Sequence, residues 1–233
     1  MKNTLSIVLL LFHCFSVFAQ NSTSSPSLYF NRIGIDNGLS FGNVNCLLED
    51  SKGFIWIGTS NGLNRYDGNV FTVYRHRRGD SLSLIGNDVR SLEEDANGNI
   101  WIGTTEGVSS LNPFREKFTN YQHREADSNS LHQDYINYVF TDRNRTIWCG
   151  SASGLDKYDD GITGFHHIAL RSPSGKSISV TAFCEDDSDN FWIGTNDGLI
   201  LFNSKTGQQQ YFKPLLSHSF LVKSLYKDAL GNL

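Results

Sequence analysis

The stretch Glu49–Asp67, "EDSKGFIWIGTSNGLNRYD", decides how the rest of the chain is read, because it returns three more times. "EDANGNIWIGTTEGVSSLN" occupies 94–112, "TDRNRTIWCGSASGLDKYD" 141–159 and "EDDSDNFWIGTNDGLILFN" 185–203. The four tryptophans of the protein, Trp56, Trp101, Trp148 and Trp192, all fall in these copies, at spacings of 45, 47 and 44 residues. A fifth copy opens with "LVKSLYKDALGNL" at 221–233. A fixed period of this length marks a repeat architecture, so every motif has to be weighed against its sister copies.

Turn chemistry cuts each copy into four strands. The first is of the Val44–Glu49 kind, and it runs into a tight turn opened by Asp50, Asp95, Asp142 or Asp186, and again by Asp228. Aspartate opens turns because its carboxylate accepts backbone N–H groups two and more residues on. The second strand carries the tryptophan and then Gly58, Gly103, Gly150 or Gly194. A hairpin follows whose last residue is Gly62, Gly107, Gly154 or Gly198, supplying the positive φ that primed turns need. The third strands are of the "LNRYD" type, and the fourth are "FTVY" (71–74), "KFTNY" (117–121), "ITGF" (162–165) and "QQYF" (209–212). The run "FIWI" is continuously apolar, as in a sheet packed on both faces. Val44 and Leu47 differ in parity, which directs them to opposite faces of their strand. Four antiparallel strands per unit of this length describe a propeller blade. Glycine-rich hairpins without helical periodicity weigh against a solenoid. The fold expected is all-β: an incomplete β-propeller of about four and a half blades with an N-terminal closing strand.

The ends of the chain read differently. Residues 1–19, one lysine followed by "LSIVLLLFHCFSVFA" with small residues before Gln20, have the form of a secretory signal peptide. Residues 20–27 read as a polar linker. Residues 28–43 read as a closing strand, Leu28 to Ile35, and its connection, because they resemble the passages from one fourth strand to the next blade. Residues 44–233 hold blades 1 to 4 and the start of blade 5. A closing strand completes the last blade of a ring and removes its exposed edges, so the chain is expected to be the front of something longer.

The 233 residues are 39% hydrophobic, 12% aromatic and 19% charged, a globular composition, with net charge −4. That balance has no basic surplus to neutralise a phosphate backbone, so nucleic-acid binding is not expected. Beyond the leader, Cys46, Cys149 and Cys184 lie in apolar strand patterns and read as buried small hydrophobes. No Cys/His spacing suggests zinc, and no cofactor motif occurs.

The opening "GLSFGNVNCLLEDSKGFIWIGTSNGLNRYDG" resembles the two-component regulator propeller repeat almost throughout, and the resemblance covers Tyr29 to Leu233. Copy three departs with Cys149 for the usual Ile and Arg145 for the usual Gly; copy four has Asp189 at that Gly position. The resemblance implies the periplasmic N-terminal part of a hybrid two-component sensor. Two propellers, an immunoglobulin-like domain, one membrane span and a histidine kinase would make up such a sensor. It also implies an oligosaccharide ligand, attachment to the inner membrane only through parts beyond this chain, and a homodimer as the full-length state.

Motifs that look chemical dissolve against the repeat. "GTSNG" (58–62) fits a nucleophile elbow, which needs a strand-turn-helix context. Here the context is a hairpin, and Ser60 is Thr105, Ala152 and Asn196 in the sister copies. His76, His123 and His167 each follow an aromatic of the fourth strand by two residues. Equivalent positions on successive blades sit around a circumference, too far apart for one ion. "DDSDN" (186–190) has Phe191 where a calcium loop needs glycine. No carboxylate pair stands out for glycoside hydrolysis. No catalytic or metal residue is expected, which leaves binding. The loops "RHRRGDSLSLIGND" and "QHREADSNSLHQDY" supply polar and aromatic candidates for a ligand: Arg75, Arg77, Arg78, His132 and Tyr135. The rival expectations are a fragment of a secreted propeller enzyme acting on glycans, or an adhesion module.

Overall fold

The computed structural model describes residues 30–173, 175, 177–186, 188–212, 220–228 and 231–233; the expected signal peptide and polar linker lie outside the described residues. The chain divides into two units, Met1–Arg32 and Ile33–Leu233, and every described strand belongs to the second.

Among the described residues sixteen strands form four sheets of four, each antiparallel and in chain order. Blade 1 is β1 (Val44–Glu49), β2 (Ile55–Thr59), β3 (Gly62–Tyr66) and β4 (Phe71–Tyr74). Blade 2 is β5 (Val89–Glu94), β6 (Ile100–Thr104), β7 (Gly107–Asn112) and β8 (Lys117–Tyr121). Blade 3 is β9 (Ile136–Thr141), β10 (Ile147–Ser151), β11 (Leu155–Asp159) and β12 (Gly164–Ile168). Blade 4 is β13 (Val180–Glu185), β14 (Asn190–Thr195), β15 (Gly198–Asn203) and β16 (Gln209–Phe212). The blades do not close into a ring, and the architecture is an incomplete β-propeller.

The second strand shows why its apolar run is unbroken. Trp56 packs with Ile100 and Ile102 between blades 1 and 2, Trp101 with Ile147 and Cys149 between blades 2 and 3, and Trp148 with Phe191 and Ile193 between blades 3 and 4. Each of these three tryptophans therefore faces the following blade, and its two neighbours face the preceding one. Ile55 and Ile57, which have no preceding blade, are only half-buried, and Leu47 beside them is 65% exposed. The glycine after each tryptophan pair is a matter of clearance. A Cβ on Gly58, Gly150 or Gly194 would stand 2.6, 2.5 or 2.6 Å from a methyl of Val89, Val180 or Val222, which opens the next blade. Gly103 faces Ile136 and Val139 in the same way.

The aspartate turns form as expected. Asp50 Oδ1 accepts the N–H groups of Lys52 and Phe54, and Oδ2 accepts Trp56 Nε1 at 2.8 Å. Asp95 and Asp142 hold Trp101 and Trp148 likewise, while Asp186 takes Asn190 Nδ2 on its second oxygen. Asp228 repeats the last arrangement with Asn232. Arg145 and Asp189, at the glycine position of this turn, adopt φ of 66° and 59°.

Four expectations need correction. Val89 and Leu92 lie in one core cluster, as do Ile136 with Val139 and Val180 with Phe183, so the two apolar residues of the first strand share a face. The cause is a β-bulge after the first residue, seen at Val44/Cys46, Val89/Ser91 and Val180/Ala182, which resets the alternation. In blade 3 the fourth strand is Gly164–Ile168 rather than 162–165, because Asp160 to Thr163 close a turn and Ile162 sits in it. Gly62, Gly107 and Gly198 have φ of 117°, 132° and 143°, whereas Gly154 is not in that region; there Ser151 N–H bonds back to Gly154 C=O. Val222–Lys227 is not a strand, although Val222 is docked: its N–H reaches Thr195 C=O at 3.1 Å and its C=O accepts Thr181 Oγ1. A first strand needs its second to complete the ladder.

The closing strand expected at 28–35 falls partly outside the described residues. Phe30–Gly34 carry no ladder, and Ile35–Asn37 form one 3₁₀ turn ended by Gly38 at φ 106°.

Candidate functional site

Loops from fourth strand to next first strand, and the hairpins between second and third strands, gather at one end of the blades. Leu39, Leu84 and Leu131, each five residues before the first strand's opening residue, are buried as plugs. The N–H that follows each plug is fixed from the third strand: Ser40 to Asn64 Oδ1, Ile85 to Ser109 Oγ and His132 to Asp156 Oδ2. Loops 75–88 and 122–135 are wound alike. His76 and His123 bond Leu84 and Leu131 carbonyls through Nδ1 at 2.9 and 2.7 Å, and Ser83 and Ser130 accept the N–H of Arg77 and Arg124. These histidines are loop pins.

His167 is not their counterpart. Ile168 pairs with Leu155 as Tyr74 pairs with Leu63 and Tyr121 with Val108, which places His167 at the position of Asn120. The neutral pair Ser109–Asn120 of blade 2 thus becomes Asp156–His167 in blade 3, with Nδ1 2.6 Å from the buried carboxylate. Burial pushes the Asp156 carboxyl up, against the hydrogen bonds from His167 and His132 N–H. The His132 and His167 rings lie 5.2 Å apart, edge to face.

Arg75, Arg77, Arg78 and His132 are exposed, and Tyr135 is partly so. Arg75 donates through Nε to Asn61 C=O, and Tyr135 lies under the guanidinium of Arg90 at 5.5 Å. Arg90 was missed from sequence. It stands where Asn45, Asn137 and Thr181 tie one blade to the next: those three donate to Val89, Val180 and Val222 carbonyls. Comparing that column across copies would have singled it out.

The opposite end, with the aspartate turns, carries a cleft of about 630 Å³ between blades 2 and 3. Its floor is aromatic. Trp101 stacks on Tyr121 (5.7 Å, 8°), Tyr158 meets both edge-on, and the two phenol oxygens are 3.1 Å apart. Burial pushes both phenols up, so they stay neutral hydroxyls at physiological pH. Arg115, Lys117 and Arg145 stand on the rim, all exposed. Between blades 1 and 2 the corresponding space is differently furnished. Arg65 lies over the Phe54 and Trp56 rings and meets Glu116 at 4.0 Å, and Lys52 sits on the Phe114 ring. Strand register equates Arg65 with Ser110, and the turns equate Phe114 with Gly161. Both large occupants are thus replaced by small residues, and this cleft reaches Trp101 and Tyr121, whereas its sister stops short of Trp56 and Tyr74.

Among the described residues no group of three His, Cys, Asp or Glu is placed to hold a metal ion, and no helix is long and apolar enough to cross a membrane.

A family profile described as two component regulator propeller matches residues 38–61, 83–106 and 174–197. Each match ends in a second hairpin; blade 3, with Arg145 and Cys149, is not among them. Histidine kinase P4 of Formosa agariphila is 37% identical over 79 residues, 34% of this chain and 6% of that kinase. The extracellular domain of one hybrid two component system of B. thetaiotaomicron superposes with TM-score 0.60 at 26% identity, over 77% of this chain and 31% of that one. Another from the same organism gives 0.59 at 24%, over 81% and 30%. Virginiamycin B lyase from Staphylococcus aureus gives 0.57 at 14%, over 75% and 56%, a likeness of fold alone. The chain spans about a third of the sensor domains it resembles.

Proposed function

We propose that this chain, which carries the two-component regulator propeller repeat, is the N-terminal periplasmic part of a hybrid two-component sensor, exported by residues 1–19 and recognising an oligosaccharide. The observation that carries the reading is the match over 77% of the chain to the extracellular domain of a hybrid two component system. The repeat profile and the kinase relative point the same way. In this reading the segment binds and does not catalyse, and phosphoryl transfer belongs to a histidine kinase encoded beyond Leu233. Residues 28–35 act as the strand that completes a later blade. Signalling requires the ligand to favour one arrangement of the sensor over another, since equal affinity for both shifts nothing. A full-length homodimer is the natural unit for that switch.

The test is to read the coding frame past Leu233 and to assay the encoded protein in membranes. Further blades, a membrane span and a kinase whose autophosphorylation responds to an oligosaccharide are expected. A frame that instead encodes a secreted protein with paired catalytic carboxylates would replace the sensor with a glycan-cleaving enzyme. One ending in a surface-sorting module would leave an adhesion protein.

A further inference from the structure

We propose that the cleft between blades 2 and 3 is a binding site for a saccharide bearing a carboxylate or a sulfate group. The proposal rests on the sensor reading for its ligand class, and on the structure for the place and the charge.

Three observations converge on this cleft. The first is that it is opened from both walls. Ser110 and Gly161 stand where Arg65 and Phe114 occupy the preceding junction, so the cleft extends down to Trp101 and Tyr121 here, whereas its sister ends at Phe54 and Arg65. The second is the floor itself. Tyr121 and Tyr158, half-buried over the buried Trp101, offer apolar ring surface next to two neutral hydroxyls, the mixture that suits a sugar ring with its C–H face and its peripheral hydroxyls.

The third is charge. Arg115, Lys117 and Arg145 ring the cleft, and none of them forms an ion pair among the described residues. The cleft's carboxylates are Asp95, Asp159 and Asp160 against Arg115, Lys117, Arg145 and Lys157, an excess of one positive charge; Asp95 accepts Asn97 N–H, Asn99 N–H and Trp101 Nε1, and Asp159 holds His166 at 2.9 Å. Arg145 holds φ 66° in a turn where Gly53, Gly98 and Asp189 sit at 85°, 76° and 59°, so the turn is the common one and only the side chain it presents to the cleft differs. A guanidinium presents paired N–H donors that match a carboxylate or sulfate edge.

The full chain is titrated calorimetrically with a galacturonic acid tetramer, its methyl-esterified form, and a neutral glucose tetramer with and without sulfate. At least one anionic probe should bind ten-fold or more tightly than its uncharged counterpart, and which one does so separates carboxylate from sulfate. Ser110→Arg and Gly161→Phe, which restore the furniture of the preceding junction, should abolish that binding. Arg145→Gly restores the sister turns, so the protein should fold as well or better, yet bind about five-fold more weakly, the equivalent of one exposed ion pair of about 1 kcal/mol. Equal affinity for charged and uncharged probes, or no binding of any, overturns the proposal. So does tight anionic binding that survives Ser110→Arg in a chain with an unchanged melting curve. In that last case the oligosaccharide reading stands and only its place is wrong.

Discussion

Glu93 offers the sharpest test of how the blades are packed. It sits opposite Trp101 in β5, at the position held by Leu48, Phe140 and Cys184 in the other blades, so a carboxyl replaces an apolar side chain. Burial raises its pKa from 4.5 to about 7, with the charge of Glu94 adding to the rise and Thr141 opposing it. Thr141 Oγ1 is buried and reaches full hydrogen-bond geometry with no group among the described residues. The folded pKa lies above the unfolded one. Between about pH 4.5 and pH 7 the folded chain therefore keeps a proton that the unfolded chain releases. Stability from this group is complete below pH 4.5 and is lost as pH rises through 7. At 1.36 kcal/mol per pH unit the loss comes to about 3 kcal/mol. Urea unfolding followed by tryptophan fluorescence at pH 5, 6, 7 and 8 measures it, with Glu93→Gln and Glu93→Leu as comparisons. Asp156 and Glu185, also raised by burial, tilt the curve the same way, so the difference between wild type and variant carries the result. Both variants should lose about 3 kcal/mol of the decline between pH 5 and pH 8. Glu93→Leu should also be the more stable protein at pH 8. A wild type and a Glu93→Gln variant with parallel pH dependence would falsify the argument.

The interblade glycines give a second expectation. Gly150→Ala places a methyl 2.5 Å from Val180 Cγ1 and 2.8 Å from its Cβ, and overpacking of this kind costs about 1–3 kcal/mol, read as a lowered urea midpoint. Adding Val180→Ala should return part of it. Asp142→Ala strips the partner from Trp148 Nε1 and from Thr146 N–H, and leaving buried donors unpaired costs about 1–3 kcal/mol each. The same variant should shift tryptophan emission to the red. The thiols of Cys46 and Cys149 should be inert in the folded chain. Burial pushes the Cys46 thiol up to about 12 and the fully buried Cys149 thiol well above its ordinary value. Alkylation by iodoacetamide at pH 8, counted by mass spectrometry, should leave both unmodified until urea unfolds the protein; native-state labelling of Cys149 would refute its burial.

What the sequence determined by itself is whatever depends on short separations along the chain. An aspartate turn closes within five residues, and a hairpin glycine serves its own two strands. The period of these signals therefore announced four-stranded blades and placed nearly every strand. The tryptophan's flanking apolar residues told that both faces of a blade are covered, which the alternation of Trp101 and Ile100 between two cores bears out. Counting along a strand failed where an extra residue enters. The bulge after Val89 puts Leu92 on the same face as Val89, and Phe165 is the counterpart of Phe71 and Phe118 rather than of Tyr74 and Tyr121, so His167 is out of register with His76. Neither leaves a mark in composition.

Only the tertiary structure decided which blade presses on which residue. Gly58 is small because Val89 of the next blade lies against it, and Ser110 matters because, without the bulk of Arg65, the cleft runs down to Trp101 and Tyr121. Val89 stands 31 residues from Gly58, and the two walls of the cleft belong to different blades, where local chemistry carries no information. The loop residues Arg75, Arg77, Arg78, His132 and Tyr135 could be proposed from sequence as polar and exposed. That Arg115, Lys117 and Arg145 instead converge on one aromatic floor follows from stacking blades 2 and 3 face to face. Sequence periodicity builds each blade, and packing between blades makes the sites.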